Sequence, residues 1–136
     1  MVCLDTTFLI DLLREGHAGS EGAARRKLGT MVKEGERVCT TMVNVAELFA
    51  GLAIARDPHD EERILAKLLG TLEILPFDLD AARKYGLLYG QLRVSGGMVG
   101  GLDLMIAAIA TSRGERLLTR NVDDFSRIPL LSVETY

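Results

Sequence analysis

The stretch Val2-Cys3-Leu4-Asp5-Thr6-Thr7-Phe8-Leu9 decides the fold. Val2 to Asp5 is a short apolar run that ends on an acid, which reads as a buried strand. Thr6 and Thr7 then offer hydroxyls to cap a helix that carries Phe8, Leu9, Leu12 and Leu13 on one face and closes near Gly16. A carboxylate directly after a buried strand is costly without a partner, so Asp5 is either a local helix cap or part of a site.

Outward from this start the pattern repeats. Ala23 to Val32 is helical, with Ala24, Leu28 and Met31 at helix spacing, and Arg37 to Thr41 reads as a second strand. Asn44 opens a helix through Leu52, and Asp57-Pro58-His59-Asp60 reads as a break. Ile64, Leu65, Leu68 and Leu69 form the stripe of the next helix, and Leu72 to Pro76 reads as strand three. A helix over Asp80 to Arg93 is followed by a glycine-rich loop from Ser95 to Gly101. The nearly all-apolar helix from Leu102 to Arg113 comes next, then strands over Arg116 to Thr119 and Leu130 to Val133. Short apolar strands alternating with helices predict an α/β layer built on a mostly parallel sheet.

Ligands of such sheets bind outside the carboxyl ends of the strands. Four acids fall on that rim: Asp5 after strand one, Glu47 in the helix after strand two, Asp103 at the start of the helix leading into strand four, and Asp124 beyond it. Each has a local explanation. Asp5 is placed to cap a helix, Asn44 and Glu47 have capping-box spacing, Asp103 suits the positive end of a helix, and Asp123-Asp124 has the character of a solvated turn. Asn121 is a further oxygen ligand or water orienter. Carboxylates that converge without a basic partner repel by roughly 3 kcal/mol per pair at ~5 Å and an effective dielectric of ~20. Protons or a divalent cation must offset that cost, and a magnesium-dependent phosphodiester hydrolase turns it to use.

The bulk numbers bound this reading. The 136 residues suit one domain; 48% are hydrophobic and 26% charged, enough for a continuous core. The mean hydropathy of +0.18 and pI near 5.4, with a net charge of −3, exclude binding of nucleic acid through overall positive charge. Cys3 and Cys39 sit in strands as small core residues, and no secretory signal is expected before the first strand, so a reducing cytoplasm is expected. No apolar run approaches the ~18 residues that span a bilayer. His17 and His59 have no Cys or His neighbour, which argues against zinc. The serines, Ser20 among them, lack a nucleophile-elbow context. The glycines from Gly96 to Gly101 do not follow a strand and so make no phosphate loop.

The motifs together resemble the PIN-domain nucleases, and within them the VapC-like toxins of toxin–antitoxin pairs. The likeness is carried by Leu4-Asp5-Thr6-Thr7-Phe8-Leu9-Ile10, by Asn44-Val45-Ala46-Glu47-Leu48 with Gly51, and by Leu102-Asp103-Leu104-Met105-Ile106-Ala107-Ala108. Leu118-Thr119-Arg120-Asn121 with Asp124-Phe125 and Ile128-Pro129 completes it. The resemblance implies a single three-layer domain over 1–136, a five-stranded sheet flanked by helices, and endonucleolytic cleavage of RNA dependent on Mg²⁺ or Mn²⁺. It also implies a small antitoxin partner and a homodimer, with no membrane association.

Asp5, Glu47 and Asp103 match the family's core acids. Asn121 stands where many relatives carry an aspartate, and Asp124 matches a position acidic in many of the toxins. Either these or Asp123 could complete the site, with one metal or two. The mechanism implied has Asp5 and Asp103 holding the cation, Glu47 and Asp124 binding or orienting its waters, and Thr119 positioning a water or a phosphate oxygen. Arg14, Arg93 and Arg120 are candidates for steering RNA. Two other classes remain as alternatives: a PIN-like binding module without turnover, and a phosphoacceptor receiver domain using Asp78.

Overall fold

The computed structural model describes residues 1–19 and 21–136; Ser20 lies outside them. Five parallel strands form one sheet in the order β3-β2-β1-β4-β5. They are β1 (Val2–Leu4), β2 (Val38–Thr41), β3 (Glu73–Leu75), β4 (Arg116–Leu118) and β5 (Val133–Glu134). The chain's first strand is thus the middle of the sheet, with Cys3 in register with Cys39 on one side and Leu117 on the other. Among the described residues, seven helices connect and cover the strands: α1 (Thr6–Ala18), α2 (Ala23–Lys33), α3 (Met42–Ala53), α4 (Pro58–Leu69), α5 (Leu79–Ser95), α6 (Gly101–Ser112) and α7 (Val122–Phe125).

Strand alternation sorts the core into two halves. Cys3, Cys39, Leu75 and Leu117 face Ala81, Leu88 and Leu92 of α5 and the buried run Ile106 to Ala110 of α6. Val2, Leu4 and Leu118 face Phe8, Leu9 and Leu12 of α1, Met31 of α2, Leu48 of α3 and Leu65 of α4. This is the expected three-layer α/β architecture, its sheet wholly parallel. Both cysteines are free and buried in the core, as their strand context implied. No helix among the described residues is long and apolar enough to cross a membrane.

Several boundaries differ from the sequence reading. Asp57-Pro58-His59-Asp60 is no break: Asp57 caps α4, its side chain accepting from Asp60 N, and Pro58 is the first residue of the helix. Asp123-Asp124 is not a loop but part of α7. The last strand begins at Val133, not Leu130, because Leu130 adopts φ 67° and is exposed, which breaks any extended run through it.

Candidate active site

The carboxyl ends of β1, β2 and β4 release Asp5, Thr41 and Thr119 at one rim, and α1 and α3 start there. Asp5 stands at the N-cap position of α1 with extended backbone, but its side chain makes no cap hydrogen bond. Its carboxylate is instead gathered inward by neutral donors. Oδ2 accepts from Thr119 Oγ1 at 2.7 Å and from Thr7 Oγ1 at 3.1 Å. Oδ1 accepts from Asn44 Nδ2 at 3.0 Å. The group is 3% exposed, and these three donors satisfy it without a counter-charge.

The capping box of α3 lies three residues earlier than the sequence spacing suggested. Thr41 is the cap: its Oγ1 accepts from Asn44 N at 3.1 Å, while Asn44 Oδ1 accepts from Thr41 N at 3.3 Å. Glu47 is therefore released from capping. Its Oε1 accepts from Thr6 Oγ1 at 2.7 Å, and Thr6 Oγ1 in turn accepts from Asn44 Nδ2 at 2.9 Å. Asn44 is the side chain that sequence reasoning missed. Fully buried, it caps α3 and bridges Asp5 to Thr6 at once. Its spacing from Glu47 was the available signal, but it was assigned to the wrong pair.

Asp103 sits in the first turn of α6, partly buried. Burial raises its carboxyl to about 6, reinforced by the charges of Asp5, Glu47 and Asp124 in that order. Glu47 is raised too, by burial and by Asp5, against the opposing hydrogen bond from Thr6. The four acids therefore share one electrostatic environment. Of the adjacent pair in α7, Asp123 is exposed and Asp124 is partly buried and felt by Asp103. Asn121 precedes α7 and donates its backbone N–H to Thr119 Oγ1 at 3.0 Å.

Whether these residues suit a metal turns on their donor chemistry. All four are hard oxygen donors, and among the described residues none of them makes an ion pair. Yet among the described residues no three His, Cys, Asp or Glu side chains are grouped closely enough to hold an ion by themselves. The oxygen donor chemistry alone suits a small hard cation that takes one or two carboxylates and keeps most of its shell as water.

The candidate cations are dispersed. Arg14 lines a largely apolar groove of about 410 Å³ between α1, α3 and α4, together with His17, Glu47 and Glu61. Arg93 is exposed in the last turn of α5. Arg120 forms an ion pair with Asp11 at 2.9 Å, a residue that no sequence signal singled out. Asp78, the receiver-type candidate, caps α5 by accepting from Ala81 N at 2.9 Å and pairs with Arg113, an assignment that leaves it a structural role.

The family model for the PIN domain matches residues 2–131. The tRNA(fMet)-specific endonuclease VapC of Salmonella typhimurium is 32% identical over 100 residues, covering 74% of this chain and 76% of that protein. Ribonuclease VapC5 of Mycobacterium tuberculosis is 40% identical over 95 residues, 68% of this chain and 70% of the relative. Among solved structures, VapBC2 from Rickettsia felis bound to a DNA fragment from its promoter superposes with a TM-score of 0.89 at 26% identity, covering 100% of this chain and 99% of that one.

Proposed function

The chain belongs to the PIN domain family, and from that premise we propose that it is an endoribonuclease toxin of the VapC kind, hydrolysing RNA phosphodiester bonds. One observation supports the catalytic reading: after burial, the charges of Asp5, Glu47 and Asp124 help lift the Asp103 carboxyl to about 6. Such repulsion is a standing cost to the fold, offset when a cation enters.

Asp5 and Asp103 would hold the cation, Mg²⁺ or Mn²⁺, and Glu47 and Asp124 would bind or orient its water shell. When bound, the cation supplies Lewis acidity, neutralising charge on the scissile phosphate and acidifying a water. The chain's own residues supply alignment. Thr119, Thr7 and Asn44 lock the Asp5 carboxylate in one rotamer through three hydrogen bonds. Thr6 holds Glu47 at its side. Asp124 completes the acidic set, and Asn121 supports it from the start of α7. Arg14, Arg93 and Arg120, dispersed as they are, serve as separate cations that steer a polyanion which the net charge of −3 would otherwise repel.

The partner is a small antitoxin protein. The groove between α1, α3 and α4 supports this: Leu13, Leu48, Leu52 and Leu65 line it, with Glu47 and Glu61 at its polar edge. That chemistry suits an amphipathic segment carrying a cation. A second copy of the chain covers α5, where Leu87 and Val94 are exposed beside Gly86 and Gly90. A Cβ added at either glycine would meet nothing within 4 Å beyond the adjacent helix backbone, and each glycine costs the helix about 1 kcal/mol relative to alanine. A single unit over 1–136 working in the cytoplasm, with reduced thiols, completes the reading.

The deciding experiment is cleavage of labelled RNA by the purified protein in Mg²⁺, Mn²⁺ and EDTA, with Asp5→Asn and Asp103→Asn alongside. Equal cleavage in EDTA would end the metal-dependent proposal. Calorimetric titration with Mn²⁺ separates the enzyme from an inert binding module, since the module would bind no cation at millimolar concentration.

A further inference from the structure

Arg120 follows Thr119, the residue that donates to Asp5, yet its guanidinium turns away from the carboxylates and lies along α1. Nη1 donates to both oxygens of Asp11, at 3.0 and 2.9 Å. Asp11 Oδ2 also accepts from the Tyr136 hydroxyl at 2.6 Å. The Tyr136 ring stands edge-on to the buried Phe8, with centroids 4.7 Å apart. Asp11 is thus gripped from two sides and only 16% exposed, while Arg120 remains 57% exposed. Burial and the Asp11 carboxylate both push the Tyr136 hydroxyl up from its ordinary value, so it stays a proton donor to Asp11.

This arrangement uses one nitrogen of the guanidinium. Nε and Nη2 make no hydrogen bond among the described residues, leaving open the edge whose parallel N–H groups match two oxygens of a phosphate. The backbone is anchored as well. Arg120 N donates to Thr7 Oγ1 at 3.0 Å, and the same hydroxyl donates to Asp5 Oδ2 at 3.1 Å. Asp11 lies six residues beyond Asp5, roughly 9 Å along the axis at 1.5 Å per residue. A cation held there meets a phosphate beside the reacting one, not the reacting one itself. The tether also keeps the guanidinium from folding back into the four acids, whose negative charge would attract it.

We propose that Asp11 and Tyr136 are positioning residues that hold the open edge of Arg120 as a docking point for a phosphate of single-stranded RNA flanking the scissile bond. The inference rests on the ribonuclease reading and adds to it a subsite with its own support.

The test measures binding and turnover separately. A labelled single-stranded RNA oligonucleotide is titrated with the protein in EDTA across a salt series, and cleavage kinetics are recorded in Mn²⁺. Arg120→Ala is expected to raise Kd and KM about tenfold with kcat within about twofold, and to flatten the slope of log K against log salt by about 0.7. Asp11→Asn is expected to raise both roughly fivefold, and Tyr136→Phe roughly threefold, through loss of one charge-assisted partner. Asp11→Glu restores binding, whereas Arg120→Lys, lacking the fork, does not. In an Arg120→Ala background Asp11→Asn has no further effect.

An unchanged Kd and salt slope in Arg120→Ala overturns the proposal. So does an Asp11→Asn effect that persists without Arg120. Should Asp11→Asn fail to fold, the Tyr136→Phe and Arg120 variants carry the same test. RNA binding with these dependences but no metal-dependent cleavage would sink the ribonuclease reading and leave the docking site standing. Cleavage with binding indifferent to Arg120 would do the reverse, and a protein that neither binds nor cuts RNA loses both.

Discussion

Thr119 Oγ1 donates to Asp5 Oδ2 across 2.7 Å, joining the ends of β4 and β1 inside the site. Both side chains are buried, so the bond fixes a carboxylate that has no cationic partner among the described residues. Replacing Thr119 by Val keeps the shape but removes the donor. The expected cost is about 1–3 kcal/mol in denaturant unfolding, from a buried carboxylate left short of a partner, with a loss of RNA cleavage. Thr119→Ser should recover most of both. Cleavage by Thr119→Val at the native rate would show that Asp5 needs no such support.

Asn44 ties three residues together, Thr41, Asp5 and Thr6. Asn44→Ala removes a helix cap partner and a donor to a buried charge together. About 3 kcal/mol of destabilisation is expected, read as a lowered urea midpoint at constant m-value.

Asp103 gives a pH dependence of unusual sign. Its folded-state value of about 6 lies above the ordinary 3.8, so the native state binds the proton more tightly than the unfolded chain does. The penalty is absent below about pH 4, grows as pH rises towards 6 and is complete above it. Without metal, Tm should therefore rise on acidification from pH 7 to 5. Asp103→Asn should abolish that rise and raise Tm at pH 7. A divalent cation should lift Tm at pH 7 and lose this effect below pH 6, as protons compete for the same oxygens. A wild-type Tm that falls steadily over this range, with Asp103→Asn identical, would contradict the assignment.

Asp5→Asn and Asp103→Asn should each lower metal-dependent cleavage by at least about 10³-fold, with circular dichroism unchanged. Asp123→Asn should lie within about twofold of wild type, because that carboxylate is exposed whereas Asp124 is partly buried. Equal losses for Asp123→Asn and Asp124→Asn would mean that α7 does not select between them.

Ile64 lines the groove from α4, on a helix that supplies none of the four acids. Ile64→Lys should leave RNA cleavage within about twofold and remove neutralisation by the cognate antitoxin in co-expression. Full neutralisation would place that partner elsewhere.

Much of this was legible in the chain itself, for identifiable reasons. Asp5 ends an apolar run directly after β1 and Asp103 lies in the first turn of α6, so their places in the fold followed from strand–helix alternation, whereas Glu47 lies midway along α3. The choice between Asp123 and Asp124 did not follow, since it depends on the phase of a four-residue helix too short to show a period. Asn44 was visible but was paired with Glu47, because the true cap, Thr41, also closes β2 and read as strand. The Asp11–Arg120–Tyr136 cluster joins residues more than a hundred positions apart, and no local pattern encodes such a meeting. The last strand was misplaced because Leu130 and Leu131 read as strand residues, while the backbone at Leu130 turns left-handed.

That β1 lies at the centre of the sheet has a consequence for when the enzyme exists. Its neighbour β4 begins at Arg116, and the partner of Asp5 is 114 positions away. A growing chain therefore carries Asp5 and Glu47 long before β4 exists, and ordering of the Asp5 carboxylate waits on a late, long-range closure.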